Sequence, residues 1–318
     1  MIHKRFIPLC AALLMALTAA SARASDGRLD VVVSIKPIHA LVAGVMQGVG
    51  TPHLLLNDQQ SPHHFALKPS QARLLQQAEL VFWVDPSLET PMPALLASLA
   101  PHAIDIRFMA DQDLVRYQNE ISDDSDDDHD DHEGQEDHER HGRGHMVNPH
   151  IWLDLENARR MVWSIAATLS AVDPQHAGAY ASNAAKLDKR LVDLHEVAKR
   201  QFASIQRNKF IVQHDAFIYI ERQFKLPRGL VIARDHDTPP GTAHLQHLRD
   251  LVVAGVVSCI FDEPQRAGHQ IDIVAGTSFV RRATLDAVGV GLPAGPDLYF
   301  DMMRANYAAF AECLAGTH

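Results

Sequence analysis

Three histidines stand out by their surroundings. His63 lies in "SPHHFALKPSQARLL", His150 in "NPHIWLD", and His214 closes "KFIVQH". A neutral imidazole is a nitrogen donor of intermediate softness. Three of them suit zinc, with a fourth position left to a carboxylate or water. The three are far apart in the chain and form no local pattern of the H-E-x-x-H kind. The chain has 20 histidines, most of them expected at the surface or in the core, so spacing alone makes only a weak triad.

A second metal-binding signal is local. "DDSDDDHDDHEGQEDHERHGRGH" contains His129, His132, His138, His141 and His145 and no aliphatic side chain. Residues 118–147 hold twelve acidic side chains against two arginines, a formal −10 that equals the net charge of the whole chain. A like-charged run repels itself and has nothing to bury, so it is expected to be disordered. Its imidazoles and carboxylates would attract cations into weak, exchangeable sites. It reads as an accessory that captures zinc, receives it from another zinc carrier or senses supply, or else as a solvated spacer. The tight site is expected elsewhere, because each ion bound to such a segment must first order it.

The elements that would position the three separate histidines are α/β units. "LDVVVSI" (29–35), "HLLL" (53–56), "ELVFWVD" (79–85) and "HAIDIRF" (102–108) read as strands, with helical stretches from Pro37 to Gln47, after Pro69 and after Pro93. "KFIVQH" (209–214), "GLVIARD" (229–235), "VSCIFDEP" (257–264) and "RATLDAV" (282–288) form a second series. Apolar strands alternating with helices indicate βαβ units and buried parallel sheets. The expected fold is α/β: two lobes with mainly parallel sheets. The first covers 25–172 and is interrupted by 118–147; the second covers 206–318.

Between them, 173–205 carries the longest helical pattern. Asp173 is a candidate N-cap and Pro174 suits the first helical position. Tyr180, Ala184, Leu187, Leu191, Leu194, Ala198, Phe202 and Ile205 make one apolar stripe. At about 1.5 Å per residue such a helix would span about 45 Å, the length of a two-lobed protein, and would resist large hinge closure. Ligands of open α/β sheets bind beyond the carboxyl ends of strands. A site drawing His63 and His150 from one lobe and His214 from the other therefore belongs in the cleft between them.

The ends of the chain indicate export. Lys4 and Arg5 precede an apolar run from Phe6 to Ala20, then Ala22-Arg23-Ala24, which reads as a secretory signal peptide over 1–24. The run is too short to span a membrane comfortably. Cys10 leaves with the leader, so Cys259 and Cys313 remain in an oxidising compartment, where a pair is expected to form a disulfide. Without the acidic segment the chain is close to neutral, and no basic stripe points to nucleic acid.

"SPHHFALKPSQARLLQQAELVFWVD", "NPHIWLDLENA", "FIVQHDAFIYIERQF" and "CIFDEPQ" together resemble the metal-binding solute receptors of ABC importers, and more narrowly the zinc-uptake receptors of Gram-negative bacteria. The likeness covers essentially all of the chain after the leader. It implies two α/β lobes joined by a long helix, a periplasmic location and no catalysis. It also implies delivery of Zn2+ to an ABC permease with its ATPase, and a monomer. It puts ligands on His63, His150 and His214. Manganese-type relatives carry a carboxylate where His214 stands. Asp286, in "TLDAVG", matches a position that supplies an aspartate ligand in some relatives. The acidic residue that often precedes the first histidine is here Pro62, and the residue after it is His64. The fourth ligand is thus Asp286 or water, with His64 behind because adjacent side chains seldom point to one site. The family's disulfide falls on Cys259 and Cys313.

Other residues have plainer readings. Met46, Met109, Met161, Met302 and Met303 are expected to pack, and Trp83, Trp152 and Trp163 to lie in the core or the cleft wall. His236 in "RDHDTPPG" belongs to a surface loop or a second zinc site. Glu263 either orients a histidine or is merely structural. Zinc affinity is expected to fall as pH drops through the ordinary histidine range, about 6.5. A manganese receptor, a secreted zinc hydrolase, and a zinc buffer or adhesin without a transporter are the competing functions.

Overall fold

The computed structural model describes residues 29–58, 60–118, 147–203, 205, 208–233, 239–265 and 269–315. The leader, the five histidines of the acidic segment and His236 lie outside them. The first sheet contains β1 (Val31–Val33), β2 (His53–Leu54), β3 (Leu80–Trp83) and β4 (Ile104–Arg107), all parallel, in the order β2-β1-β3-β4. The second contains β5 (Lys209–His214), β6 (Leu230–Ala233), β7 (Val257–Asp262) and β8 (Arg281–Thr284), also parallel, in the order β6-β5-β7-β8. The two halves therefore repeat one topology. Seven strands fall within the runs read from the sequence, and β8 begins one residue before its run, at Arg281. The central strands β1 and β3 are buried throughout, whereas the outer strand β4 is mostly exposed, with Ile104 48% accessible. An edge strand has a neighbour on one side only, so the reading of uniformly buried strands fails there.

Helices cross between the strands: α1 (Lys36–Val45), α2 (Pro69–Gln77) and α3 (Met92–Leu99) in the first half, α6 (Ile218–Gln223), α7 (Thr242–Val253) and α8 (His269–Ala275) in the second. Between the sheets lie α4 (Leu155–Val172) and α5 (Ala177–Phe202), and α9 (Leu298–Ala315) closes the described chain. The long helix starts later than expected. Pro174–His176 form a 3-10 turn, and the Asp173 carboxylate takes bonds from the Tyr180 hydroxyl (2.8 Å) and His176 Nδ1 (2.6 Å) instead of capping helical amides. Its 26 residues extend about 39 Å.

The stripe on α5 is buried at Tyr180, Ala184, Leu187, Leu191, Leu194, Ala198 and Phe202, and the helix packs against α1, α4 and α9. Its approach to α1 is close: a Cβ on Gly44 would lie 2.7 Å from Leu187 Cδ1. Asn183 Nδ2 donates to the carbonyl of Val45 (3.0 Å), an orphan acceptor at the end of α1, and to that of Gln47 just beyond it (2.8 Å). One hydrophobic core runs from β1 and β3 through α1, α4 and α5 to β5, β7 and α9. The lobes share that core, so neither rotates freely against the other. A smaller cluster fills the space between the second sheet and α7 and α8.

Cys259 on β7 is bonded to Cys313 on α9, with Cα atoms 5.8 Å apart. The sequence separation of 54 gives roughly 4 kcal/mol in the chain-entropy account. Met46, Met161, Met302 and Met303 are buried and Met109 packs on the core. Trp83 and Trp152 are buried, but Trp163 is 45% exposed on α4: the helix turns that position away from the core its neighbours Met161 and Val162 enter. Among the described residues no helix is long and apolar enough to cross a membrane.

Candidate metal centre

His214 is the last residue of β5, and Glu263 follows the last residue of β7. These strands are neighbours in the sheet, so their carboxyl ends bring the two side chains together. His150 sits in the turn before the 3-10 segment Ile151–Leu153 and α4, whose first turn is capped by the Asp154 carboxylate accepting from the amides of Glu156 (2.7 Å) and Asn157 (3.0 Å). His63 is on the loop between β2 and α2, held by paired glutamines. Gln71 Oε1 accepts from the Lys68 amide (2.7 Å), and Gln71 Nε2 donates to the Leu55 carbonyl (2.5 Å) and Gln60 Oε1 (2.6 Å).

The three histidines expected to act together do meet. One nitrogen of each lies within 4.8 Å of the others, and among the described residues this is the only such group of histidine, cysteine and acidic side chains. His150 and His214 are 5% exposed and His63 is half-buried. Ring centroids are 5.2 Å apart for His150 and His214, 5.7 Å for His63 and His150, and 6.4 Å for His63 and His214. His150 Nε2 and His214 Nε2 approach to 3.4 Å. Tetrahedral ligands about 2.0–2.1 Å from a zinc ion are about 3.3–3.4 Å from each other, so that pair already has the spacing of one edge of the tetrahedron.

The tautomers follow from the partners. His214 Nδ1 lies 2.5 Å from Glu263 Oε1, and the same oxygen accepts the His214 backbone amide (3.2 Å). A carboxylate only accepts, so Nδ1 carries the hydrogen. His150 Nδ1 lies 2.9 Å from Asn148 Oδ1, which also accepts the His150 amide (3.0 Å). Asn148 Nδ2 donates to the Asp215 carbonyl, which fixes the amide's orientation and makes its oxygen the acceptor. As neutral imidazoles, both rings then turn an Nε2 lone pair toward the same point, where a cation or a proton between them relieves the repulsion of the two.

Asp286 lines the same pocket but does not join the converging nitrogens. Its Oδ1 accepts from the amides of Val288 and Gly289 (both 2.9 Å) and its Oδ2 from Val290 (2.6 Å). Burial raises its pKa, and those three amides and nearby Lys36 act against the rise. The carboxylate closes its own turn, and the three amides occupy three of its acceptor positions. His64 is exposed beside half-buried His63, as neighbours on an extended loop point apart. Glu263 takes the orienting role.

Asn148 escaped the sequence reading. Besides orienting His150, it accepts the Tyr219 hydroxyl on its carbonyl (2.7 Å) and donates its amide to the Tyr117 carbonyl (2.8 Å). Its only local signal is the Asn-Pro-His turn. Gln118 and Val147 pair as an antiparallel bridge, so the acidic segment leaves and returns at adjacent points next to Asn148. Trp152 lies beside His150, with ring centroids 5.3 Å apart, and donates Nε1 to the carbonyl of Ala287, a residue lining the pocket (2.7 Å).

Comparison with known proteins agrees with this architecture. Residues 31–313 match the family described as zinc-uptake complex component A, periplasmic. A high-affinity zinc uptake system protein ZnuA from Paracoccus denitrificans is 36% identical over 331 aligned positions, covering 99% of both chains. That of Brucella suis is 34% identical, over 91% of this chain and 92% of its own length. The fold is shared with a zinc-bound ZnuA deletion variant at TM-score 0.75 and 20% identity, over 92% of this chain and all of that one. The chain belongs to the family of periplasmic zinc-uptake components, the ZnuA family.

Proposed function

We propose that this chain is the high-affinity zinc receptor of an ABC importer. It holds one Zn2+ in the interlobe cleft through Nε2 of His150 and His214 and one imidazole nitrogen of His63, and delivers it to a membrane permease served by an ATPase. The observation that carries this reading is the pair of Nε2 atoms 3.4 Å apart with both Nδ1 atoms committed to acceptors. A leader over 1–24 takes the chain to the periplasm, where it works as a monomer.

Zinc is the cargo. Water is assigned the fourth position, because Asp286 lies outside the group of converging donor atoms and uses three of its acceptor positions on amides. Nitrogen donors favour zinc over manganese, which prefers oxygen. A hydrolase would need a general base beside the metal. The two carboxylates lining this pocket, Glu263 and Asp286, are bound to His214 and to the backbone, which favours a receptor without catalysis.

Zinc competition against a chelator tests the reading on His63→Ala, His150→Ala and His214→Ala separately. Each is expected to weaken binding by at least about a hundredfold, since removing one ligand loses more than removing its hydrogen-bond partner, itself worth 10–100-fold. Parental affinity in all three would refute the assignment.

A further inference from the structure

Lys36, the first residue of α1, is buried in the first lobe, yet its ammonium reaches the second. Nζ donates to the carbonyls of Gly289 (3.0 Å) and Leu292 (2.8 Å), and it pairs with the Asp58 carboxylate on the loop that also carries His63. Asp58 Oδ2 accepts the Gly291 amide (3.2 Å). The loop 286–292 so gripped is the one organised by Asp286, and it lines the metal pocket through Asp286, Ala287 and Val288. Lys36 and Asp58 border an adjoining cavity that shares Pro62, Gln265 and Val288 with the metal pocket. One direct bond, from the Gly291 amide to Asp58, and three contacts made by Lys36 thus tie together the two loops that flank the candidate centre.

The shared core leaves these loops as the parts able to part locally when an ion enters or leaves. We infer that Lys36 and Asp58 form an interlobe latch that sets the rate of zinc exchange. This rests on the zinc-receptor reading above. The latch carries no ligand. It holds the His63 loop of one lobe against the Asp286 loop of the other, and an ion escapes only when it opens. Charge-assisted bonds of a buried ammonium are stronger than neutral ones, and losing one partner of such a pair is felt chiefly in dissociation. Asp58 is partly exposed (38%), so water screens some of the attraction.

The test uses Lys36→Met, which keeps the apolar stem, Asp58→Asn, which keeps an acceptor for Gly291, and the double variant. Zinc release into excess chelator is followed by stopped flow. Each single variant is expected to release zinc about tenfold faster, and the double variant no faster than the faster single one, because both remove the same pair. The Co2+ absorption spectrum should stay that of the parent, since the three histidines remain. Hydrogen exchange of the Gly289 and Gly291 amides, measured without metal, should quicken in both single variants; a purely global loss of stability would quicken amides on β1 and β5 equally. Parental release rates, or single effects that multiply in the double variant, would overturn the latch. Failure of the parent to hold zinc tightly would instead sink the zinc-receptor reading, and the exchange of the loop amides would still judge the latch.

Discussion

Glu263 gives the sharpest test of how the cleft prepares its imidazoles. Its Oε1 holds both the ring and the backbone amide of His214, and both side chains are 7% exposed, so water cannot substitute readily for either bond. Glu263→Gln preserves an acceptor at nearly the same point but removes the negative charge. Glu263→Ala removes the acceptor as well, and the ring is then free to rotate or to move its hydrogen to Nε2, the nitrogen that faces His150. Losing the partner of a ligating histidine costs 10–100-fold in metal affinity, which is about 1.4–2.7 kcal/mol of binding. The glutamine is expected near the lower figure, about tenfold, and the alanine near the upper, about a hundredfold. Competition with a chromophoric chelator at fixed pH and salt measures the affinity. Nitrogen NMR of the His214 ring, without metal, measures the tautomer, which should be Nδ1–H in the parent and mixed in the alanine variant. Parental affinity in Glu263→Ala would refute the orienting role. If the tautomer were unchanged while affinity fell, the carboxylate would act through its charge alone.

Two further outcomes follow from the fold. Glu89 is fully buried; its Oε2 accepts the amides of Val84 (2.9 Å) and Asp85 (3.0 Å), and burial pushes its pKa up from 4.5 to about 7. The folded state thus binds the proton more tightly than the unfolded chain, so the stability this group contributes is full below the unfolded value and is lost as pH rises through about 7. A shift of that size corresponds to about 3 kcal/mol. Glu89→Gln should match the parent in urea unfolding at about pH 4 and exceed it by up to about 3 kcal/mol at about pH 8; an equal difference at both would contradict the burial argument. Deleting 120–144 with a short neutral linker should leave one tight zinc per chain, because Gln118 and Val147 already pair at the root and the three clustered histidines survive. Shortening the loop alters closure entropy by about 1 kcal/mol. Native mass spectrometry should lose only the weaker zinc equivalents, and loss of the tight one would move the primary site into the acidic segment.

How much of this was legible in the chain differs by element. The central strands were readable because a parallel strand buried on both faces must be apolar along its length, a local property, as in "LDVVVSI" and "KFIVQH"; the outer strands β4 and β8, exposed in part, carry that signal less clearly. The stripe on α5 was readable for the same reason at helical period. The helix start was not, because Asp173 could cap either the helix or the Tyr180 hydroxyl, and packing chose the second. His63, His150 and His214 carried little weight by spacing, since 63, 150 and 214 are close only after two sheets align their carboxyl ends. Their motif contexts supplied what distance along the chain could not. Asp286 shows the limit from the other side: its residue type and motif suggested a ligand, and the three amides its carboxylate accepts from the turn that follows it could be seen only in the folded chain. Residue types and periodicity, being local, determined the layers and the chemical class of the site. Which nitrogen faces the metal, which carboxylate orients it, and that Lys36 spans both lobes were decided by tertiary contacts, because each depends on groups brought together from distant parts of the chain.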